Sequence, residues 1–226
     1  LNQACHVPRS EHPADVAAAS LADGRYNRWF LDPLAGRGYP VDVVDFLGWD
    51  QAVIEHGDLV EIARPMDVLG VNYYTRVLCA APEVSDVDRP PPLVVAQGEP
   101  TDMGWEVYPR GLYETLVRDF REYGHTRITI TENGAAYDVP RIGGSIADPL
   151  RQVYLERHLA ELHRAIADGV PVDGYFVWSL LDNFEWAHGY SKRFGIVGVD
   201  FDDQTRTVKD SGTWFANVAA RNGFDA

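Results

Sequence analysis

Two runs of the sequence combine carboxylates with neighbours that could do chemistry. The first is Thr131-Glu132-Asn133-Gly134, preceded by the β-branched stretch Ile128-Thr129-Ile130. Such a run followed by Asn and Gly predicts a strand that stops beside the carboxylate, at residues that tolerate a turn. A strand-end glutamate can act in catalysis; it can equally cap the next helix or close a salt bridge. The second run is Val177-Trp178-Ser179-Leu180-Leu181-Asp182-Asn183-Phe184-Glu185-Trp186. Its indoles offer flat apolar faces and an N–H donor, and Glu185 can accept from two adjacent hydroxyls. Those residue types suit a sugar ring, whereas phosphate calls for Lys, Arg or a Gly-rich turn. Phe176 and Phe184 are expected in the core rather than in the site.

The elements that must position these runs follow from patterning. Residues 1–7, 68–75, 127–133 and 174–180 are β-branched or aromatic with little polar alternation, as parallel strands buried on both faces require. Between them lie helical patterns. Asp148 is placed to cap a helix with Pro149 at its first position. Leu155, Leu159, Leu162 and Ile166 then share a face, and Gly169 marks the stop. Leu112, Tyr113, Leu116, Val117 and Phe120 form a second stripe ended by Gly124. A third helix spans about 13–30 with an interruption at Gly24, and Ser211 caps a last one carrying Trp214, Phe215 and Val218. Residues 76–98, with Pro90-Pro91-Pro92, read as a loop or hairpin, and 195–210 as a hairpin turning at Asp202-Asp203-Gln204.

The order βαβαβαβα demands parallel strands joined by crossovers. It fits half of a (β/α)8 TIM barrel or a small open sheet. Asn72 and Tyr74, Glu132 and Trp178 fall at C-terminal strand ends, where TIM barrels gather their chemistry. That favours the barrel. Four strands alone would leave two long apolar edges, so a second half is expected from another chain or segment.

Composition narrows the function classes. The 226 residues carry 20 Lys and Arg against 34 Asp and Glu, a formal charge of −14. Nucleic-acid binding and adhesion to anionic membranes both need the opposite balance. Cys5 and Cys79 have no metal-ligand spacing and are expected to be free thiols. No run reaches the length of a membrane span. Leu1 is not an initiator Met and no signal-peptide pattern appears at the start, so the chain is expected to be cut open there; the low cysteine count and unsecured termini make a cytoplasmic protein the expectation.

The sequence resembles the C-terminal half of a β-glucosidase of glycoside hydrolase family 1. The resemblance rests on Asn72-Tyr73-Tyr74, Ile130-Thr131-Glu132-Asn133-Gly134 and the run from Trp178 to Trp186. Lys192-Arg193-Phe194-Gly195, Lys209-Asp210-Ser211-Gly212 and the run from Met103 to Pro109 add to it, in the family's order. It implies one (β/α)8 domain of which residues 1–226 hold strands five to eight. Glu132 would be the nucleophile, Tyr74 its hydrogen-bond donor and Asn72 the active-site asparagine. Trp178 would be the platform under the sugar, joined to Ser179 by a cis peptide. Glu185 and Trp186 would grip the far hydroxyls, with Phe194 beside the O6 end. Asn2, placed at the end of the first strand, is expected to line the aglycone side.

The implied reaction is a retaining, two-step hydrolysis of terminal non-reducing β-D-glycosides by two carboxyl groups about 5 Å apart, without metal or organic cofactor. The implied acid/base glutamate, in an Asn-Glu-Pro run, is absent. Glu99-Pro100 is read as a decoy, so the partners are a small β-glucoside and an N-terminal half of the same enzyme. Family members acting on 6-phospho-sugars carry a small hydroxyl residue where Glu185 stands, so a free β-glucoside is expected, with β-fucoside or β-galactoside tolerated. The competing reading is a non-catalytic sugar-binding half-barrel or an inactive fragment.

Overall fold

The computed structural model describes residues 1–81, 93–94 and 98–224. In chain order, β1 (Asn2–Pro8) leads to α1 (Pro13–Asp23), a π-helical turn (Gly24–Arg28), α2 (Trp29–Leu34), α3 (Val41–Leu47) and α4 (Asp58–Ile62). Then come β2 (Leu69–Cys79), β3 (Leu93–Val94), α5 (Pro109–Arg121), β4 (Ile128–Asn133) and α6 (Pro149–Ala167). The chain closes with β5 (Val172–Val177), β6 (Val197–Val199), β7 (Arg206–Val208) and α7 (Asp210–Arg221).

Strands β1, β2, β4 and β5 form one parallel sheet in that order, and β3 pairs antiparallel with the end of β2. Each parallel strand lies beside its predecessor in the sequence, which is barrel growth and lacks the order reversal of a doubly wound sheet. The two faces differ. Leu69, Val71, Tyr73, Ile128 and Ile130 pack against Leu112 and Leu116 of α5 and Leu162 and Ala165 of α6. Each fully buried leucine there contributes about 1.5–3 kcal/mol. The opposite face carries Gly70 beside Thr131 and Gly174 beside Thr129 and Phe176.

Several expectations are corrected. Phe176 is 61% and Phe184 58% exposed, so neither is a core residue of this chain; the period-2 pleat turns Phe176 away from the helices. The first helix does not break at Gly24 but passes through the π-helical turn into α2. A Cβ at Gly24 would lie 2.5 Å from the Arg28 guanidinium and from Val43 Cγ2, so the glycine serves close packing. Ile166 is exposed, and the buried stripe of α6 is instead Arg151, Tyr154, Leu155, His158, Leu162 and Ala165.

Asp148 occupies the N-cap position of α6 without capping it. Its carboxylate accepts from the Ser211 backbone N–H at 2.9 Å and the Ser211 hydroxyl at 2.6 Å, so Ser211 is a bridge rather than a cap. The hairpin of β6 and β7 forms as expected, with Gln204 at φ +65° in its turn. Within 76–98, β2 runs on to Cys79 and pairs with Leu93–Val94, while Pro90, Pro91 and Pro92 lie outside the described residues. Cys5 and Cys79 are free. No helix among the described residues is long and apolar enough to cross a membrane.

Candidate active site

A β-bulge aims Glu132. Between β2 and β4, Val71 pairs with Ile130 and Asn72 with Glu132, so Thr131 is an extra residue on β4. Regular alternation would send residue 132 after Ile128 and Ile130 into the helix-packed core. The bulge sends Asn133 there instead, fully buried, and leaves Glu132 on the open face. Tyr74, from the same face of β2, donates its hydroxyl to Glu132 Oε2 at 2.6 Å. Burial, then the Glu132 carboxylate, hold the Tyr74 phenol far above its usual range, so it stays a donor. Trp105 and Phe194 back the Tyr74 ring at centroid distances of 5.4 and 6.1 Å.

The other candidates surround this pair unequally. Asn72 Oδ1 accepts from the Thr131 hydroxyl at 2.6 Å. Asn2 stands at the start of β1, not its end, in the row Asn2–Asn72–Glu132 across three strands. Its amide donates to the Tyr26 hydroxyl at 3.0 Å. Trp178 follows the last residue of β5, donates its backbone N–H to the Asn133 carbonyl at 2.9 Å and is joined to Ser179 by a cis peptide. Glu185 is half-buried. Its pKa is raised by burial first and by the Glu132 charge, with His188 opposing, so the two carboxylates are near enough for their charges to interact. Trp186 is 82% exposed at φ +42°, on the rim. Phe194 is only 2% exposed and sits behind Tyr74.

Two buried cations hold the loops of the site. Lys209 Nζ lies 3.0 Å from Asp182 Oδ1, which also accepts from the Gly195 N–H at 2.9 Å. Arg151 donates to Asp148 and to the carbonyls of Ala135, Tyr137, Arg193 and Phe194, joining the loop after β4 to the segment before β6. These bonds are charge-assisted, and all but the one to the Arg193 carbonyl are buried, so removing either cation would strand buried acceptors. Sequence reasoning passed over Trp105, Asp182 and Arg151 as site supports. Trp105 and Asp182 lay inside quoted motifs, whereas an arginine within an amphipathic helix gives no sign of burial. Glu99 pairs with Arg157 of α6 at 3.5 Å on the exposed helix side. Among the described residues, no cluster of three or more His, Cys, Asp or Glu could hold a metal ion.

A family profile described as glycosyl hydrolase family 1 matches residues 1–224. The chain belongs to this family. Beta-glucosidase A of Acetivibrio thermocellus is 42% identical over 230 residues, 99% of this chain and 51% of that protein. The AHE enzyme from Alicyclobacillus herbarius superposes with a TM-score of 0.94 at 41% identity, covering 100% of this chain and 51% of that one. The family 1 β-glucosidase from Thermotoga maritima superposes at 0.92 and 39% identity, covering 100% and 51%. Its complex with isofagomine lactam gives 0.91 and 40%, covering 99% and 50%. The chain spans about half the length of the family 1 relatives it matches. Its four sequential parallel strands are accordingly part of the family's (β/α)8 barrel.

Proposed function

We propose that residues 1–226 are the C-terminal half of a single (β/α)8 domain that hydrolyses terminal β-D-glycosides with retention, and that Glu132 is its nucleophile. The observation that carries this reading is the 2.6 Å hydrogen bond from Tyr74 to a carboxylate aimed by a bulge onto the open face of the sheet. A sugar-binding module needs acceptors for hydroxyls and has no use for a buried phenol spent on one carboxylate.

In the first step, Glu132 attacks the anomeric carbon as the glycosidic C–O bond breaks. A second carboxylic acid, supplied from outside residues 1–226, protonates the leaving oxygen. That group then takes a proton from water, whose oxygen displaces Glu132 and restores the β configuration. Trp178 is the platform under the ring, Asn72 and Glu185 receive its hydroxyls, and Trp186 and Asn2 border the site, while Phe194 acts from behind Tyr74. A free β-glucoside is the proposed substrate, with β-fucoside or β-galactoside tolerated, because the Glu185 carboxylate would repel a 6-phosphate. Support comes from the β-glucosidase names of the Acetivibrio and Thermotoga relatives and the isofagomine lactam complex. The free thiols Cys5 and Cys79 fit a reducing compartment, and we place the enzyme in the cytoplasm.

The test is co-expression with a complementary N-terminal half-barrel, followed by assay on a chromogenic β-glucoside. Activity is expected only from the pair, and Glu132→Gln abolishes it. Azide added to Glu132→Ala is expected to yield a glycosyl azide of inverted configuration. Undiminished hydrolysis by Glu132→Gln would end the nucleophile reading.

A further inference from the structure

We infer that Asn133, Tyr154 and Tyr175 form a positioning set, on the helix-packed side of the sheet, that fixes where Glu132 meets Tyr74; the inference rests on the reading of Glu132 as nucleophile. The bulge creates the need for it. The β2–β4 ladder ends at the Asn72–Glu132 pair, so no further backbone pairing between these strands ties Glu132 to the stretch of β2 that carries Tyr74. Side chains take over. The Asn133 amide donates to the Tyr73 carbonyl at 2.7 Å and to the Tyr154 hydroxyl at 3.1 Å. Tyr154 donates its own hydroxyl to the Tyr74 carbonyl at 3.0 Å. The two carbonyls flanking the Tyr74 Cα are therefore both held by a unit anchored on the residue next to Glu132.

Tyr175 completes the accounting. Its hydroxyl donates to Asn133 Oδ1 at 2.7 Å, so both donors and the acceptor of the Asn133 amide are used. The amide orientation is thereby fixed, because a flipped Asn133 would set its Oδ1 against the Tyr73 carbonyl oxygen, two acceptors with no proton between them. His158 closes the far side. Its ring stacks on Tyr154 at 3.9 Å, and Nδ1 lies 2.7 Å from the Tyr154 carbonyl. Burial pushes its pKa down to about 3, so it adds no charge to the network. Burial likewise holds Tyr154 and Tyr175 protonated as donors. The network touches neither the substrate face nor the reacting oxygen, so these are positioning residues.

A merely structural role would show as lost stability alone, and a positioning role as slower attack with unchanged binding. The probe is a 2-deoxy-2-fluoro-β-glucosyl fluoride, added to the assembled two-half enzyme. Glu132 Oε–C1 bond formation expels fluoride with the C1–F electron pair, and no proton is needed from the acid. The rate of Glu132 labelling, read by peptide mass, thus isolates the nucleophile.

Tyr154→Phe is expected to label at least about tenfold more slowly, within the range a sub-ångström to 1 Å displacement produces, while affinity for a neutral competitive inhibitor stays within about twofold. Tyr175→Phe, half-buried and missing one oxygen, should show a smaller loss and serves if Tyr154→Phe does not fold. Combined, the two should lose less than the product of their separate effects. Wild-type labelling rates in both variants, even with a lower melting temperature, would overturn the inference. If the unaltered enzyme labels at a residue other than Glu132, the nucleophile reading falls first and takes this inference with it.

Discussion

The Tyr74 hydroxyl donates to Glu132 Oε2 across 2.6 Å, from a strand whose pairing with β4 has just been shifted by one residue. Two devices thus converge on one carboxylate, a bulge that turns it to the open face and a phenol that fixes one of its oxygens. A charge-assisted hydrogen bond of this kind contributes about 1.5–3 kcal/mol. Tyr74→Phe should therefore lower kcat/KM of the assembled enzyme by roughly 10- to 100-fold. Steady-state assay on an aryl β-glucoside checks it, and an unchanged value would mean that the bond does not bear on the chemistry.

Glu185 gives a second prediction, because it is the other carboxylate that feels Glu132. Burial and that neighbouring charge raise its pKa, so it loses its charge at a higher pH than an ordinary glutamate. Affinity for a neutral saccharide inhibitor should fall as pH drops through that raised value, and Glu185→Gln should flatten the profile. The same variant separates two roles. As a hydroxyl acceptor, Glu185 affects all substrates alike; as a proton donor, it would matter only for those with poor leaving groups. Calorimetric titration between mildly acid and neutral pH, with a leaving-group series, reads both.

Much of this arrangement is legible in the sequence. The four parallel strands follow from β-branched runs separated by helical stripes, and Tyr74, Glu132, Trp178 and Glu185 stand in short motifs that the family resemblance singles out. What escapes is whatever depends on a distant partner. The bulge at Thr131 exists only relative to Val71 and Asn72. Asp148 looks like a helix cap until Ser211, 63 residues away, takes its carboxylate. Local patterning cannot choose between two satisfactions of one carboxylate when the competitor arrives from elsewhere in the chain.

Asp119 carries a prediction about stability. It is fully buried on α5, with Gln3 Nε2 donating to Oδ2 at 2.7 Å and Oδ1 unpartnered. Burial pushes its pKa up from 3.8 to about 6, against the opposing pull of Gln3 and Arg118. The folded state therefore holds its proton over a range where the unfolded chain has released it. The stabilisation is full below about pH 4 and is lost as pH rises through about 6, by up to about 3 kcal/mol. Asp119→Asn should raise stability at pH 8, with the gain vanishing toward pH 4. Denaturant melts across that range test it; an equal gain at both ends would remove ionisation as the cause.

Gly134 looks like a turn residue in the sequence, yet its φ lies outside the left-handed range. Its requirement is proximity. A Cβ there would stand 1.8 Å from the Trp178 carbonyl oxygen, an overlap that only backbone movement relieves. The movement would fall on the two segments that carry Glu132 and Trp178, since Trp178 N–H bonds to the Asn133 carbonyl between them. A shift of about 1 Å between reacting groups costs roughly 100-fold in rate. Gly134→Ala should thus cost the assembled enzyme about two orders of magnitude in kcat/KM, whereas Gly124→Ala, with open space around it, strains only its own turn and should leave kcat unchanged. Parallel kinetics on the two variants, with circular dichroism to establish that each is folded, decide the matter: similar losses at both would mean that generic destabilisation, not the contact with Trp178, is responsible.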